Sequence, residues 1–469
     1  MPFPLRFPLQ WRPAKAATGW TPVIEKRTVM KLIRIIFVAG MLLTAVSCGT
    51  DTRPNVLIVL IDTVRADHFS CYGYERNTTP HIDSLAEAGT LVLNCHGQAS
   101  WTLPAMTTIL SGVSPVEHGA GRGNGDFMGV AADLPWLPLS FHREGYRTAA
   151  FFNVMFMNED FGFHRGFSHF DCQGVASGNS LRKAGPTVDN FLTWLDSTDQ
   201  GVPFFAAVHF YDPHIPYTAP KPWCDLYTDP DYSGEYNSSW GAGVIEMTRV
   251  NNGTVVPSPE DLNNLIALYD GEIAYTDSQT GRLFQELRNR GLAENTIIVV
   301  AGDHGEEFLE HGGIEHGRTL YQETTHVPMI LSGPGFNGGN TIEQRAAQLD
   351  VAVTLANAAR IDHPVHQPAA DLAETLPARE IPASGVLWRQ GELVSIVSGD
   401  TKLIWSLDDD SVETYDLQAD PLELDILPVD DELMNAAGFY WATPPLVTPL
   451  PVNYDETASR ELRNLGYIR

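Results

Sequence analysis

The stretch Asn55-Val56-Leu57-Ile58-Val59-Leu60-Ile61-Asp62 decides the fold class of this 469-residue chain. It is an unbroken run of aliphatic residues, rich in Val and Ile, that ends abruptly at an acid. Runs of this kind are typical of strands that are buried on both faces of a parallel sheet. The stretch therefore predicts an α/β protein in which Asp62 follows the carboxyl end of a central strand.

Helix and strand patterns alternate along the chain that follows this strand. Further strands are predicted over residues 90–93, 146–152, 203–210 and 295–301, and helices over 80–89, 259–290 and 349–359. The long helix over 259–290 has an apolar stripe and a glycine stop at Gly291. This order of elements predicts a mostly parallel central sheet with helices on both faces.

Two later regions depart from this alternation. Residues 219–259 are rich in Pro, Gly, Asn and aromatic residues without a clear period, which predicts an irregular insertion or lid. Beyond a Pro- and Ala-rich boundary at 361–383, short strands at hairpin spacing are predicted over 386–388, 393–397, 402–405 and 412–415. We therefore predict a catalytic domain over 52–360 and a small antiparallel α+β subdomain over 380–469.

Residues 1–48 are predicted to be an N-terminal extension with an export signal. The basic head Met30-Lys31-Leu32-Ile33-Arg34 precedes an apolar run that is short for a membrane span. Ala45-Val46-Ser47-Cys48-Gly49 resembles a bacterial lipobox, in which Cys48 would carry the lipid; a plain signal peptide is the alternative. We expect a periplasmic or outer-surface protein whose only membrane contact is a lipid anchor at Cys48.

Charge and cysteine spacing exclude several classes of partner and site. The formal net charge is −28, and no basic patch is present, which argues against binding to nucleic acid or to anionic membrane surfaces. Cys71, Cys95, Cys172 and Cys224 form no Cys-x-x-Cys pair, so they do not predict a zinc site. For an exported chain, either disulfides or buried free thiols fit these four cysteines.

Three of the predicted strands end in side chains that bind metals or transfer protons. Asp62 follows the first, the segment His209-Phe210-Tyr211-Asp212-Pro213-His214 ends the second, and Asp303-His304 follows the third. Ligands of open α/β sheets bind in the crevice outside the carboxyl ends of the strands. Asp62, Asp303 and His304 form an oxygen-rich set that suits Ca²⁺, Mg²⁺ or Mn²⁺ and tolerates Zn²⁺.

Thr102 opens a short predicted helix that stops at Gly112, and a helix N-terminus favours anions. A free alcohol has a pKa of roughly 16, so a threonine nucleophile needs a metal at its oxygen. We therefore predict that Thr102 is both a metal ligand and the nucleophile. The alternative is that Thr102 only caps the helix.

Transfer of a sulfuryl or phosphoryl group also requires cationic donors and a proton for the leaving group. His214, His316 and Arg318 are the candidates for these roles. As an alternative, Asp212 together with His214 and His316 would hold a second metal. Weaker candidates are His68, His118, His311 and His326, of which His311 shares a loop with His316.

Several motifs, taken in order, resemble the sulfatase family of the alkaline phosphatase superfamily. Besides the first strand, they are Thr79-Pro80-His81-Ile82-Asp83, Asp212-Pro213-His214, Gly302-Asp303-His304-Gly305-Glu306, Thr319-Leu320-Tyr321-Gln322-Glu323 and Thr414-Tyr415-Asp416-Leu417-Gln418-Ala419-Asp420-Pro421-Leu422-Glu423. The resemblance implies an alkaline-phosphatase-like sandwich. It also implies a metal-dependent hydrolase or transferase acting on a sulfate or phosphate ester, for example on a glycan or lipid head group.

The chain departs from that family at the nucleophile. Sulfatases carry Cys or Ser followed by x-Pro-x-Arg and convert it to formylglycine, whereas this chain has Thr102-Leu103-Pro104-Ala105-Met106. No formylglycine is expected, and Thr63 replaces the second acid of the family's Asp-Asp pair. What remains resembles the threonine branch of the superfamily, which favours phosphoester or phosphodiester over sulfate chemistry. The alternative is a catalytically inactive sulfatase-like binding protein.

Overall fold

The structure is a computed structural model that describes residues 52–123, 126–173, 182–199, 201–236, 244–387 and 392–453, with 456 and 459. The predicted export signal and Cys48 lie outside the described residues. Residues Arg53–Arg469 belong to one compact unit. Within the described ranges, no helix is both long enough and apolar enough to cross a membrane. The domain bounds at 52–360 and 380–469 stay a prediction.

An eight-stranded sheet forms the centre of the protein. In chain order its strands are β1 (Asn55–Ile61), β2 (Thr90–Val92), β3 (Arg147–Phe152), β4 (His169–Cys172), β5 (Phe204–Phe210), β6 (Thr296–Gly302), β7 (Met329–Ser332) and β8 (Asn340–Ile342). Their spatial order is β8-β2-β7-β6-β1-β5-β3-β4. Only β7 runs antiparallel to its neighbours, so the predicted mostly parallel sheet is confirmed.

Helices cover both faces of this sheet, and a smaller sheet follows. The helices are α1 (Pro80–Ala88), α2 (Thr102–Ser111), α3 (Pro115–His118), α4 (Leu137–Arg143), α5 (Ala184–Ser197), α6 (Val244–Asn251), α7 (Pro259–Asn289), α8 (Gln322–Thr325), α9 (Asp350–Ala359) and α10 (Asp431–Ala442). The second sheet is antiparallel and contains β9 (Ile381–Ser384), β10 (Leu393–Ser398), β11 (Thr401–Ser406) and β12 (Val412–Asp416). The α/β sandwich and the antiparallel C-terminal sheet are both as predicted.

The opening strand is buried on both faces, as its aliphatic run predicts. Val56, Ile58 and Leu60 pack into the core on one face of the sheet, with α2 and α9. Leu57 and Val59 pack into the core on the opposite face, with α5 and α7. Because successive side chains of a strand point to opposite faces, both faces had to be apolar for β1 to lie at the centre.

Two predicted elements are wrong. The irregular insertion at 219–259 contains the helix α6, whose Val250 packs into the core; a helix of eight residues is too short to show a clear period. The first strand of the small sheet is β9 rather than 386–388. Pro382 made this edge strand resemble a loop. The strand ends before Gly385, which has a φ of +96°, and Trp388 lies outside the described residues.

The four described cysteines are free thiols.

Candidate metal and catalytic site

Two carboxylates and an imidazole meet at the carboxyl end of the central strands. β1 and β6 are parallel neighbours in which Ile61 pairs with Gly302, so the next residues, Asp62 and Asp303, lie side by side. His304 Nε2 lies 3.6 Å from Asp62 Oδ1 and 3.3 Å from Asp303 Oδ2. One ligand atom from each of the three residues lies within 4.8 Å of the others, and all three side chains are buried.

The two carboxylates have few partners in this buried site. Asp303 Oδ1 accepts hydrogen bonds from the amides of Thr63 (3.1 Å) and His304 (2.7 Å), but Asp303 Oδ2 and both oxygens of Asp62 accept none. Burial raises the pKa of Asp62 well above its usual value, and nearby Glu306 adds to the effect. Burial also raises the pKa of Asp303, and Asp62 adds to that shift.

These features fit a divalent cation. Within the described ranges, neither Asp62 nor Asp303 forms an ion pair with a Lys or Arg side chain. Burial lowers the pKa of His304 well below its usual value, which keeps the imidazole neutral and able to donate a lone pair to a metal. Oxygen ligands with one imidazole suit Mg²⁺, Mn²⁺ or Ca²⁺ and also accept Zn²⁺.

Thr102 lies at the predicted place beside this group. It is the first residue of α2, while the N-cap position belongs to Trp101, so Thr102 is not the capping residue. The helix ends at Gly112 in the left-handed conformation, as the glycine stop predicts. Thr102 Oγ1 lies 3.4 Å from His304 Nε2, and the residue is 4% exposed. The hydroxyl therefore adjoins the candidate metal ligands.

His316 and His214 extend the site away from the carboxylates. The His316 ring lies 4.4 Å from the His304 ring and 4.9 Å from the His214 ring, measured between centroids. His316 Nδ1 lies 2.9 Å from Glu306 Oε1. Burial lowers the pKa of His316 to about 3 and raises the pKa of Glu306 to about 8, so the pair is neutral in the absence of other ligands. His214 is stacked on Tyr211 and hydrogen-bonded to its hydroxyl at 2.8 Å.

Arg318 lies close enough to His316 for its charge to help lower the pKa of that imidazole, but it makes no described hydrogen bond within the site. Its nearest charges are Glu315 and Glu307, and its Nε has no hydrogen-bond partner. Within the described ranges, no hydrogen bond or ion pair joins Arg318 to Thr102 or to the candidate metal ligands. Its predicted role as an oxyanion donor therefore stays a prediction.

The alternative of a second metal at Asp212, His214 and His316 gains no support from the geometry. Asp212 Oδ1 lies 3.8 Å from Lys183 Nζ, and the same ammonium lies 3.2 Å from Glu272 Oε1. Asp212 thus faces a cation of the protein itself. Among the described residues, Asp62, Asp303 and His304 are the one group close enough to share an ion.

The weaker histidine candidates make other contacts. Their partners are Asp270 for His68, Thr108 for His118, Glu323 for His311 and the Leu93 carbonyl for His326. Each partner satisfies a ring nitrogen within the protein. None of these four rings is placed within the metal group by a described contact.

Two residues of the site entered the sequence-based prediction only as members of motifs, without roles of their own. His209 Nε2 lies 3.3 Å from Asp62 Oδ2, because Leu60 pairs with His209 across β1 and β5. Glu306 holds His316 through its Nδ1. The sequence signal for both residues was that they lie in or beside motifs at strand ends. That signal is not enough to assign a residue to the site, because its neighbours on the adjacent strands must also be known.

The comparisons with known proteins agree with this arrangement. The sulfatase family model matches residues 54–361, which include every residue of the site. The chain belongs to the sulfatase family. This sulfatase-family chain is 24% identical over 451 residues to an arylsulfatase of Clostridium perfringens, with 79% of this chain and 89% of the relative covered. It is 27% identical over 355 residues to iduronate 2-sulfatase of Homo sapiens, with 63% and 64% covered.

Solved structures show the same fold. A structure described as a complex with its substrate D-glucosamine-2-N,6-O-disulfate superposes with a TM-score of 0.68 at 20% identity, covering 82% of this chain and 97% of the other. The phosphonate monoester hydrolase of Agrobacterium radiobacter gives a TM-score of 0.65 at 20% identity, covering 83% and 94%. Proteins named for sulfate esters and for phosphonate esters thus share this fold.

Proposed function

We propose that this chain is a metal-dependent hydrolase of an anionic ester, with Thr102 as its nucleophile. The observation that carries the proposal is the position of Thr102 Oγ1, 3.4 Å from His304 Nε2 within a buried group of uncompensated carboxylates. Asp62, Asp303, His304 and Thr102 would hold the ion. When bound, a divalent ion supplies charge that favours deprotonation of the threonine hydroxyl and neutralises the ester oxygens.

The residues of the chain account for the remaining chemistry. Thr102 Oγ1 would lose its proton to solvent and attack the phosphorus, and the bond to the leaving oxygen would break, which leaves the phosphoryl or phosphonyl group on Thr102. Water would then attack that phosphorus, release the phosphate, phosphate monoester or phosphonate, and restore the hydroxyl. His316, whose Nδ1 faces the protonated Glu306, would pass its Nε2 proton to the leaving oxygen while Nδ1 takes the proton of Glu306; His214 lies beside it. The N-terminal end of α2 adds a positive dipole at the attacking group.

We favour phosphate esters, phosphodiesters or phosphonates over sulfate esters as substrates. Thr102 cannot be oxidised to formylglycine, and Met106 replaces the arginine of the family motif. The fold accommodates both classes, since relatives and neighbours are named for sulfate and for phosphonate esters. Glycan and lipid esters both belong to the anionic substrate class, and a glycan ester is the better supported of the two, because one fold neighbour is a complex with the substrate D-glucosamine-2-N,6-O-disulfate.

A substrate screen with a trapping experiment tests this proposal. The purified protein is assayed on aryl phosphate, phosphodiester, phosphonate and sulfate esters with added Mg²⁺, Mn²⁺, Ca²⁺ or Zn²⁺, and quenched samples are examined by mass spectrometry. We expect phosphoryl turnover and a phosphate adduct on Thr102. The Thr102→Ser variant should retain turnover, and Thr102→Ala should lose it.

Three results would contradict the proposal. Turnover of aryl sulfate alone would overturn the phosphorus preference. Unchanged turnover in Thr102→Ala would overturn the nucleophile, and binding of esters by wild type without any turnover would favour the inactive binding protein.

Export with a lipid anchor at Cys48 is a separate proposal. It rests on the lipobox-like sequence Ala45-Val46-Ser47-Cys48-Gly49. Expression in a Gram-negative host with labelled fatty acid should label the wild-type chain. Equal labelling of the Cys48→Ser variant would overturn the anchor.

A further inference from the structure

Thr63 has an unusual backbone conformation directly beside the metal group. It follows Asp62 in the chain and has a φ of +53°, which lies in the left-handed region. That region is uncommon for residues other than glycine, and a β-branched side chain makes it more costly. Such strain persists only where surrounding groups hold it. Thr63 is fully buried, and no step of the proposed reaction uses its side chain.

The strained residue directs its amide at a candidate metal ligand. The Thr63 N–H donates to Asp303 Oδ1 at 3.1 Å, and the His304 N–H donates to the same oxygen at 2.7 Å. Asp303 Oδ1 is thereby engaged, so Oδ2, which lies 3.3 Å from His304 Nε2, is the oxygen left for an ion. Hydrogen bonds of this kind orient the carboxylates that bind metals.

The Tyr269 hydroxyl holds Thr63 from the other side. Tyr269 lies in α7, and its Oη donates to the Thr63 carbonyl at 2.7 Å and accepts from the Arg65 N–H at 3.1 Å. The two bonds join the residues on either side of Val64, so they close the turn that follows β1. Without them, Thr63 would be free to relax to an ordinary φ, and its amide would turn away from Asp303.

Both the tyrosine ring and the turn are fixed by packing. The Tyr269 ring is fully buried, and its centroid lies 5.1 Å from that of Phe308. A Cβ built on Gly302 would lie 2.8 Å from Val64 Cγ2, so the turn packs directly on the end of β6. Because Asp303 follows Gly302 in the chain, a change in the turn acts on the metal ligand.

We propose that Tyr269 is a positioning residue for the metal group: its hydroxyl keeps Thr63 in the left-handed conformation, and the Thr63 amide fixes which oxygen of Asp303 faces the ion. The inference rests on the proposed function, because Asp303 needs an oriented oxygen only if it binds the ion. The alternative is a hydroxyl that only stabilises the fold. Its loss would then lower the free energy of unfolding and leave the metal affinity unchanged.

Calorimetric titration with MnCl₂ tests the inference without any turnover. After treatment with EDTA and dialysis, the full-length Tyr269→Phe variant should bind Mn²⁺ about tenfold more weakly than wild type. Tyr72→Phe is the matched control, because the Tyr72 hydroxyl also bridges two backbone groups, the Val92 carbonyl at 2.8 Å and the Met329 N–H at 2.9 Å. This variant should also lose stability to urea. Its Kd for Mn²⁺ should stay within about twofold of the wild-type value.

A double-variant cycle tests the part played by Thr63. Glycine adopts a positive φ without strain, so a glycine at this position no longer needs the hydroxyl. In the Thr63→Gly background, Tyr269→Phe should therefore change the Kd for Mn²⁺ by less than about threefold. If Tyr269→Phe alone does not fold, the double variant should fold and have an affinity close to that of Thr63→Gly. A loss of about tenfold in the glycine background, or a double variant that does not fold, overturns the inference.

Equal Mn²⁺ affinity of wild type and Tyr269→Phe also overturns the inference, and ester turnover separates that outcome from the proposed function. If the affinities are equal and wild type turns over an ester in a Thr102-dependent way, the hydrolase stands and the positioning role is wrong. If the affinity falls as expected and no ester is turned over, the positioning role stands and the hydrolase is wrong. If wild type binds no Mn²⁺, the metal site and the positioning role are both wrong.

Discussion

Two clusters of buried charge in this protein differ in how their charges are balanced. Lys402 and Glu423 are 0% and 1% exposed, and Lys402 Nζ lies 2.8 Å from Glu423 Oε1. Asp62 and Asp303 are equally buried, but within the described ranges they have no Lys or Arg partner. The first cluster is complete as the chain folds. The second would gain its counter-charge from a bound cation.

The paired cluster, Lys402 with Glu423, lies where it can hold the small sheet against the segment that carries His316. Lys402 lies on β11, and Glu423 follows the small sheet; both contact the segment that carries His316. His311 Nε2 lies 3.0 Å from the Glu423 carbonyl oxygen, and Lys402 Nζ lies 3.4 Å from Thr325 Oγ1. A buried ion pair contributes little net stability, but removing one partner is strongly destabilising. The comparison teaches that buried charges with internal partners hold the fold, whereas those without partners mark the site.

The largest expected effect is the loss of activity when a residue of the unpaired cluster, Asp62 with Asp303, is replaced. Replacing Asp303 by Asn removes a candidate metal ligand, and we expect kcat/KM to fall about 10⁴-fold, equal to about 5.4 kcal/mol. The unfolding free energy of the metal-free protein should not fall, because a buried charge without a counter-charge is removed. Steady-state kinetics and urea unfolding measure the two quantities. A destabilised Asp303→Asn variant would show that this cluster, like the other, is structural.

At the paired cluster the effect should be on stability. Replacing Lys402 by Met leaves Glu423 buried without its partner, and we expect the unfolding free energy to fall by about 3–5 kcal/mol. Adding Glu423→Gln should recover much of that loss, because the unpaired charge is then removed as well. Chemical denaturation of both single variants and the double variant measures the coupling. Additive losses in the double variant would mean that the two side chains act independently.

The next largest expected effect is the gain in unfolding free energy when a divalent ion is added, which should depend on the unpaired cluster and not on the paired one. A divalent ion at a hundredfold excess over its Kd should stabilise the metal-free wild type by about 2.7 kcal/mol. The Asp303→Asn variant should show no such gain, whereas Lys402→Met should gain as wild type does. Thermal unfolding with and without EDTA gives the comparison. Equal stabilisation of the wild type and Asp303→Asn would place the ion elsewhere.

The smallest expected effect over a single pH unit is a change in the stability of the metal-free protein. The folded-state pKa of Asp303 lies well above the ordinary value of 3.8, so the folded state binds a proton that the unfolded state has released. Below pH about 4, wild type and Asp303→Asn should therefore have similar stability. Above it, wild type should lose stability relative to the variant by roughly 1.4 kcal/mol per pH unit until the folded carboxyl ionises. Urea unfolding between pH 4 and 7 measures the difference; a constant difference would mean that Asp303 is ionised throughout.

Much of the architecture could be predicted because its signals are local. The aliphatic run before Asp62 predicted the strand Asn55–Ile61, and Gly112 predicted the end of the helix Thr102–Ser111. The strand at Ile381–Ser384 was missed because its proline is tolerated only at an edge, and strand order decides which strand is an edge.

The sequence by itself determined which residue types stand at the carboxyl ends of the strands: Asp62, Asp303 and His304. The tertiary structure decided which of them meet, because the register of β1 with β6 and β5 places His209 against Asp62. It also decided that Asp212 faces Lys183, whereas Asp62 and Asp303 face no Lys or Arg side chain within the described ranges. Whether a buried carboxylate has a counter-charge depends on neighbours distant in the chain, and those are set only when the sheet is assembled.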